Sequence, residues 1–255
     1  MFRQEQAHGH VAKLQRSDVE LIEVERAEDP LLVDVAELLA HTFSDPNTVL
    51  GLDRLREFVS ANESNTERSF HVLGAREDNH VVGLSVFSYV PASNCGFSEY
   101  IVVARGTRGV GLGRALFDRR KAILDQHARR AGHERCRGLF IETDNPSRAH
   151  PEHQTAELET AMDPMERLRV FQHLGFWRVD VPYVQPPLAA GKQPVDYLDL
   201  LFAPWDDDVR QISARVVLDT VRPIWASWTP SEYEEHLARL ARRLGVGSVA
   251  LLPLL

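Results

Sequence analysis

The chain has 255 residues, enough to bury a sizeable core, and 44% apolar with 26% charged residues is the composition of an ordinary folded protein. Acidic side chains outnumber basic ones 37 to 29, and no long basic run appears, which argues against a phosphate-neutralising nucleic-acid surface. Two cysteines are too few for a disulfide framework, residues 1–10 lack the apolar core of a secretory signal, and no stretch of about 18 apolar residues offers a membrane span, so the expected location is a reducing cytoplasm.

Residues 1–17 read as a polar tail, and residues 19–24 alternate as a short strand does. Asp29 and Pro30 then supply a cap and a first-turn proline for a helix whose Leu31, Leu32, Val35, Leu38 and Leu39 share one face. A second helix is expected over 52–59. Residues 69–76 and 81–90 read as strands joined by the polar turn Glu77-Asp78-Asn79, a hairpin. The next strand, 100–103, runs into a turn with Gly109, Gly111 and Gly113 at alternate positions. Arg114-Ala-Leu-Phe opens a helix to about residue 130, with Leu112, Leu116, Phe117, Ile123 and Leu124 inward.

Residues 138–143 form a short apolar strand of the kind found inside a sheet. The segment 144–163 is acidic, with Asp144, Glu152, Glu157, Glu159 and Asp163 against Arg148, and reads either as a lid or as a solvated loop with a short helix at 154–162. Asp163-Pro164-Met165-Glu166 combines an N-cap, a first-turn proline and an N3 glutamate, starting a helix that runs through Leu168, Phe171 and Leu174 to a stop at Gly175. Strands follow over 176–183 and 195–202. In the extension 205–255, Val209, Ile212, Val216 and Val217 suggest one helix. Thr229-Pro-Ser-Glu232 reads as a capping box for another, whose stripe of Tyr233, Leu237, Leu240 and Leu244 ends at Gly245. Both stripes are expected to pack on the core's own surface, with a dimer mate as the second choice.

The glycine turn carries the chemistry. A strand followed by such a turn and a helix points successive backbone N–H groups, and the positive end of the helix dipole, at an anion. A P-loop is excluded because no Lys-Ser or Lys-Thr follows the glycines, and a dinucleotide fingerprint because G-x-G is not followed by a third glycine at the right distance. The spacing left is [QR]-x-x-G-x-[GA], filled by Arg108, Gly109, Val110, Gly111, Leu112 and Gly113.

This motif resembles the coenzyme A pyrophosphate loop of the GNAT family of N-acyltransferases. The order of elements over 18–204 and the Leu174-Gly175-Phe176 ending are similar to that family as well. The resemblance implies an α/β fold: a mixed, mostly antiparallel sheet of about seven strands flanked by helices, here with an insertion at 144–163 and a helical extension. It implies acetyl-coenzyme A as cosubstrate, held by the backbone from Arg108 to Arg114 and by the backbone of Ile101, Val102 and Val103. Direct attack by a primary amine of a small molecule or peptide would follow. Glu99 stands where many relatives place an acidic residue and is the first candidate for the base, with Glu142 the alternative. Many relatives carry a tyrosine where this chain has Phe171, and phenylalanine cannot protonate a departing thiolate; Tyr183 is the substitute, with Gln185 beside it.

A non-catalytic acyl-coenzyme A sensor on the same fold is the alternative, favoured by Phe171. His150 and His153 with Glu152 are too few donors for a metal site, so no metal is expected. Cys95 has no evident base beside it and reads as an inert buried thiol.

Overall fold

The computed structural model describes residues 19–149 and 162–255. Nine strands form one sheet: β1 (Glu20–Glu23), β2 (Ser69–Glu77), β3 (His80–Val90), β4 (Cys95–Val103), β5 (Gly138–Asp144), β6 (Trp177–Val179), β7 (Leu198–Pro204), β8 (Gln211–Ser213) and β9 (Ser248–Leu252), in the order β1-β2-β3-β4-β5-β7-β6-β9-β8. Six α-helices are described: α1 (Leu31–Thr42), α2 (Leu52–Ala61), α3 (Leu112–Arg130), α4 (Pro164–His173), α5 (Ala214–Trp228) and α6 (Tyr233–Leu244). Neighbouring strands are antiparallel except β4 and β5, which run parallel.

Local signals explain most of these elements. The β2–β3 hairpin closes through Asp78 and Asn79, both at positive φ (48° and 65°), a turn whose twist suits the strands it joins. Asp163 caps α4 by accepting from the Glu166 N–H at 2.9 Å, as its spacing predicts. At α1 the Asp29 carboxylate accepts from the Leu31 N–H at 2.9 Å, so the helix starts one residue after the proline.

The two sheet faces carry separate cores. Leu84, Val86, Phe97, Tyr100 and Val102 join α1, α2, α5 and α6 on one face. Leu116, Leu124, Leu139, Ile141 and Phe171 join α3 and α4 on the other.

The extension departs from its expected form in two places. Residues 211–213 are a strand, not the first turn of a helix: Ile212 alone of the three is buried, a period of two, and it pairs with Val249 of β9. Ser213 then caps α5, accepting from the Arg215 N–H at 3.3 Å. The capping box at Thr229 does not form. Its side chain is buried with no hydrogen-bond partner, and the turn closes through the Thr229 carbonyl, which accepts from the N–H groups of Glu232 and Tyr233. The Leu237 and Leu240 stripe does join the chain's own core, as expected, with its helix packed against α5. The strand expected over 176–183 shortens to β6: the Val181 N–H turns back to the Val179 carbonyl at 2.8 Å, and Pro182 has no N–H with which to resume the ladder. The strand expected over 195–202 slides to β7, leaving Val195 in a single bridge to Gln185.

His127 on α3 packs edge-on against His71 of β2, whose Nδ1 meets Glu23 at 2.9 Å. Burial, with His71 and Arg130 adding to it, pulls the His127 pKa from 6.5 down to about 4. The unfolded chain therefore binds this proton more readily than the fold does, and the stability His127 contributes as a neutral ring is lost as pH falls from 6.5 through 4. The expected loss is about 1–2 kcal/mol, allowing for solvent screening of a half-buried ring. Urea unfolding across that window should show it, and His127→Gln should flatten the slope.

Candidate functional site

Only Gly96, Phe97 and Ser98 of β4 pair with β5, opposite Leu139, Phe140 and Ile141. Beyond Ser98 and Ile141 the two strands part, while β4 stays paired with β3 on one side and β5 with β7 on the other. The backbone from Glu99 to Val103 therefore edges a gap and has no strand hydrogen-bonded to it on that side. At the same point β4 carries a bulge. Val86 of β3 faces Tyr100 and Phe87 faces Ser98, so Glu99 is the extra residue. Because of it Phe97 and Tyr100, three positions apart, lie in the same core.

The gap encloses about 180 Å³. Ile101, Val103, Gly113, Phe171 and Leu174 line its α3/α4 side, and Glu99, Tyr100, Glu142, Gln185, Leu188 and Trp228 line the other. Tyr100 fixes the segment between α1 and α2 to this wall: its hydroxyl donates to the Thr48 carbonyl at 2.8 Å and accepts from the Leu50 N–H at 2.9 Å.

Below the gap the glycine loop leads into α3. A 3-10 turn, Arg105–Thr107, precedes Gly109 and Gly111, whose φ values of 80° and 88° are the left-handed conformation that glycine alone adopts freely. A Cβ at either position would meet nothing within 4 Å, so the loop is open above both. Leu112 begins a helix of 19 residues, whose first N–H groups have no partner within the helix. Arg108 lines the gap and turns back to donate from Nε to the Val103 carbonyl at 3.2 Å. Arg114 is exposed and pairs with Asp118. A loop open above two glycines, a helix N-terminus and an unpaired strand edge leading away from it fit a pyrophosphate with a long arm.

The two carboxylates expected from sequence meet at the gap in different surroundings. The Glu99 side chain is 1% exposed and its Oε1 accepts from Arg68 Nη1 at 3.2 Å and Ser88 Oγ at 3.0 Å, while Oε2 has no hydrogen-bond partner. Burial pushes its pKa up to about 7, against the pull of Arg68 and Ser88. Glu142 is half-buried, and its Oε1 accepts from the Tyr183 hydroxyl. Burial raises it to about 8, the Tyr183 bond lowers it, and the charge of Glu99 raises it further. Tyr183 does not itself line the gap. It is 1% exposed and stands behind Glu142 against Trp225. Burial and the neighbouring carboxylate hold its hydroxyl well above 10, so it remains a donor.

Three residues that sequence reasoning did not place at the site belong to it. Arg68 lies over Phe58 with its guanidinium carbon 4.3 Å from the ring centroid, and it reaches Glu99 from the start of β2. Trp228 comes from the end of α5. Arg120, fully buried beneath β4, donates from Nη1 to Ser98 Oγ at 2.6 Å, and burial lowers its pKa to about 9. Its position on the inward stripe with Leu116, Ile123 and Leu124 was the available signal.

Among the described residues no group of three His, Cys, Asp or Glu could hold a metal, and no helix is long and apolar enough to cross a membrane. His150, His153 and the helix expected at 154–162 lie outside the described residues, apart from Met162. Cys95 and Cys136 are both buried, and burial pushes their thiols far up, that of Cys136 to about 12.

Residues 32–151 match the model of the acetyltransferase (GNAT) family. No curated protein matches the sequence significantly. Among solved structures, a GNAT-family protein from Bacteroides thetaiotaomicron aligns at 16% identity and a TM-score of 0.50, over 87% of this chain and 96% of that one. A tandem GNAT protein of the clavulanic acid biosynthesis pathway aligns at 18% identity and 0.48 over 66% of this chain, which spans 46% of its length. The PaiA N-acetyltransferase of Thermoplasma acidophilum, solved with coenzyme A, aligns at 10% and 0.47 over 74% of this chain and 99% of its own.

Proposed function

We propose, from the premise that residues 32–151 form a domain of the acetyltransferase (GNAT) family, that this chain transfers an acetyl or related acyl group from acyl-coenzyme A to a primary amine by direct attack. One observation carries the reading: the gap between β4 and β5 opens at one end onto the glycine loop and holds two carboxylates of raised pKa at the other.

When bound, the cosubstrate supplies an acyl group activated as a thioester. The N–H groups from Arg108 to Arg114, with the dipole of α3, hold its pyrophosphate. Along the open edge of β4 from Ile101 to Val103, the N–H groups of Ile101 and Val103 face away from β3 and would hydrogen-bond the arm and polarise the thioester carbonyl, while Val102, like Ala104, turns to β3. Backbone donors used this way are worth about 3 kcal/mol each in other enzymes. Phe171 and Leu174 exclude water from the arm.

The amine arrives as an ammonium ion and must lose a proton to attack. Glu142 is the better base of the two carboxylates, because it faces a neutral hydroxyl whereas Glu99 is tied to Arg68. A base with a pKa near 8 is also well matched to an amine at neutral pH. The free Oε2 of Glu99 orients the same nitrogen. Tyr183 keeps Glu142 in place. The thiolate needs no protein acid, being the anion of a thiol with a pKa of about 8.5, and Phe171 offers none. A sensor that only bound acyl-coenzyme A would use the loop and strand edge but would have no use for two carboxyls of raised pKa beyond them.

Titration calorimetry with acetyl-coenzyme A should give saturable binding, and thiol release should require an added amine. Absence of heat at millimolar cosubstrate would overturn the reading.

A further inference from the structure

The charges around the gap balance in a way that limits the acceptor. Three carboxyl groups line it among the described residues: Glu99, Glu142 and Asp144. Glu99 is paired with Arg68 at 3.2 Å and Asp144 with Arg167 at 2.9 Å. Glu142 meets a neutral hydroxyl. Arg108 lines the loop end of the gap and turns to the Val103 carbonyl, so at the acceptor end Glu142 is the one carboxylate, among the described residues, with no cation beside it when ionised, and it neutralises one ammonium group. A second or third ammonium on the same molecule would lie against Phe43, Tyr100, Leu188 and Leu198, where the described residues offer no counter-charge, and burying an unpaired charge is strongly unfavourable.

The polar atoms left without partners point the same way. Glu99 Oε2 and Gln185 Oε1 are buried, line the gap and accept no hydrogen bond in the fold. With Glu142 they make three acceptors, the number that one primary ammonium can serve. One unpartnered donor lines the same mouth, the indole N–H of Trp228, whose residue is 3% exposed. Phe43, Tyr100 and the Trp228 ring supply aromatic walls around it. Trp228 is held there by its edge-to-face contact with Phe97 of β4, ring centroids 6.1 Å apart.

Taking the acyl-transfer reading as its basis, we infer that the acceptor is a compact monoamine with an apolar, aromatic body. Its ammonium is shared by Glu142, Glu99 and Gln185, and its body lies against Trp228. The last residue of α5 is thus a specificity-determining wall, and the C-terminal extension is part of the acceptor site.

The test compares phenethylamine, spermidine, kanamycin and dialanine as acceptors with the full chain, following thiol release at saturating acetyl-coenzyme A. Phenethylamine should have the highest kcat/KM, by about tenfold or more, since an apolar group in a fitted pocket discriminates by that order. Trp228→Ala should raise its KM about tenfold and leave the calorimetric Kd for acetyl-coenzyme A unchanged, which also checks that the variant folds. Trp228→Phe, which keeps a ring, should stay close to the parent with phenethylamine. Spermidine, kanamycin or dialanine proving the best acceptor, or Trp228→Ala leaving the phenethylamine KM unchanged, overturns the inference while acyl transfer stands. Acetyl-coenzyme A binding without thiol release from any amine overturns both, and absence of binding removes the acyl-transfer reading itself.

Discussion

Glu142→Gln is expected to lower kcat about a hundred- to a thousandfold, the usual cost of removing a positioned base, and at the same time to make the protein more stable. The two effects share one cause. Burial raises the Glu142 pKa from 4.5 to about 8, so the folded chain holds this proton more tightly than the unfolded chain does. Stability therefore falls as pH rises from 4.5 through 8, and the full penalty is present above that window. Glutamine has no proton to lose and can still accept from Tyr183, so the variant should gain about 1–3 kcal/mol above pH 8, read as a shift in the urea midpoint. The parent's kcat/KM should rise with pH along a limb centred near 8, and that limb should vanish in the variant. Tyr183→Phe removes a bond that lowers the Glu142 pKa, so its limb should move to higher pH. Unchanged turnover in Glu142→Gln, with turnover lost in Glu99→Gln, would move the base to Glu99.

What could be read from the residues differs sharply along this site. The glycine loop was legible because its geometry is local: positive φ at Gly109 and Gly111 is a property of each residue, and the helix that follows announces itself within one turn. The same holds for the Asp163 cap and the Asp78-Asn79 turn. Glu99 could be singled out only as an acidic residue before the loop. That it is the extra residue of a bulge depends on its register against Val86 and Phe87, and register is decided between strands. That its charge is tied up by Arg68, 31 positions earlier, depends on how β2 and β4 are arranged around β3.

The extension was hardest to place. Ile212 and Val216 lie four residues apart and fit one helical stripe, yet the chain passes from β8 into α5 between them. The pairing that makes β8 a strand comes from β9, near the end of the sequence. Trp228 at the gap follows from the packing of α5 across β3 and β4, which no spacing within α5 specifies.

Gly111→Asp is the change expected to act most strongly on the cosubstrate. Gly111 has a φ of 88° and open space above it, so a side chain there meets no atom of the protein and stands over the loop instead. Aspartate and asparagine are the residues that accept left-handed backbone most readily after glycine, at about 1 kcal/mol, so neither variant should unfold. They differ in charge alone. Asparagine partly blocks the cradle and should weaken acetyl-coenzyme A binding about tenfold. Aspartate adds a negative charge where the N–H groups of α3 would otherwise face a pyrophosphate, and it should weaken binding a further tenfold or more. Raising the salt concentration should narrow the gap between the two, because screening acts on the charge and not on the shape. Calorimetry on both variants, with thermal unfolding to check the fold, decides the matter: Kd values that match each other and the parent would mean the anion is held elsewhere.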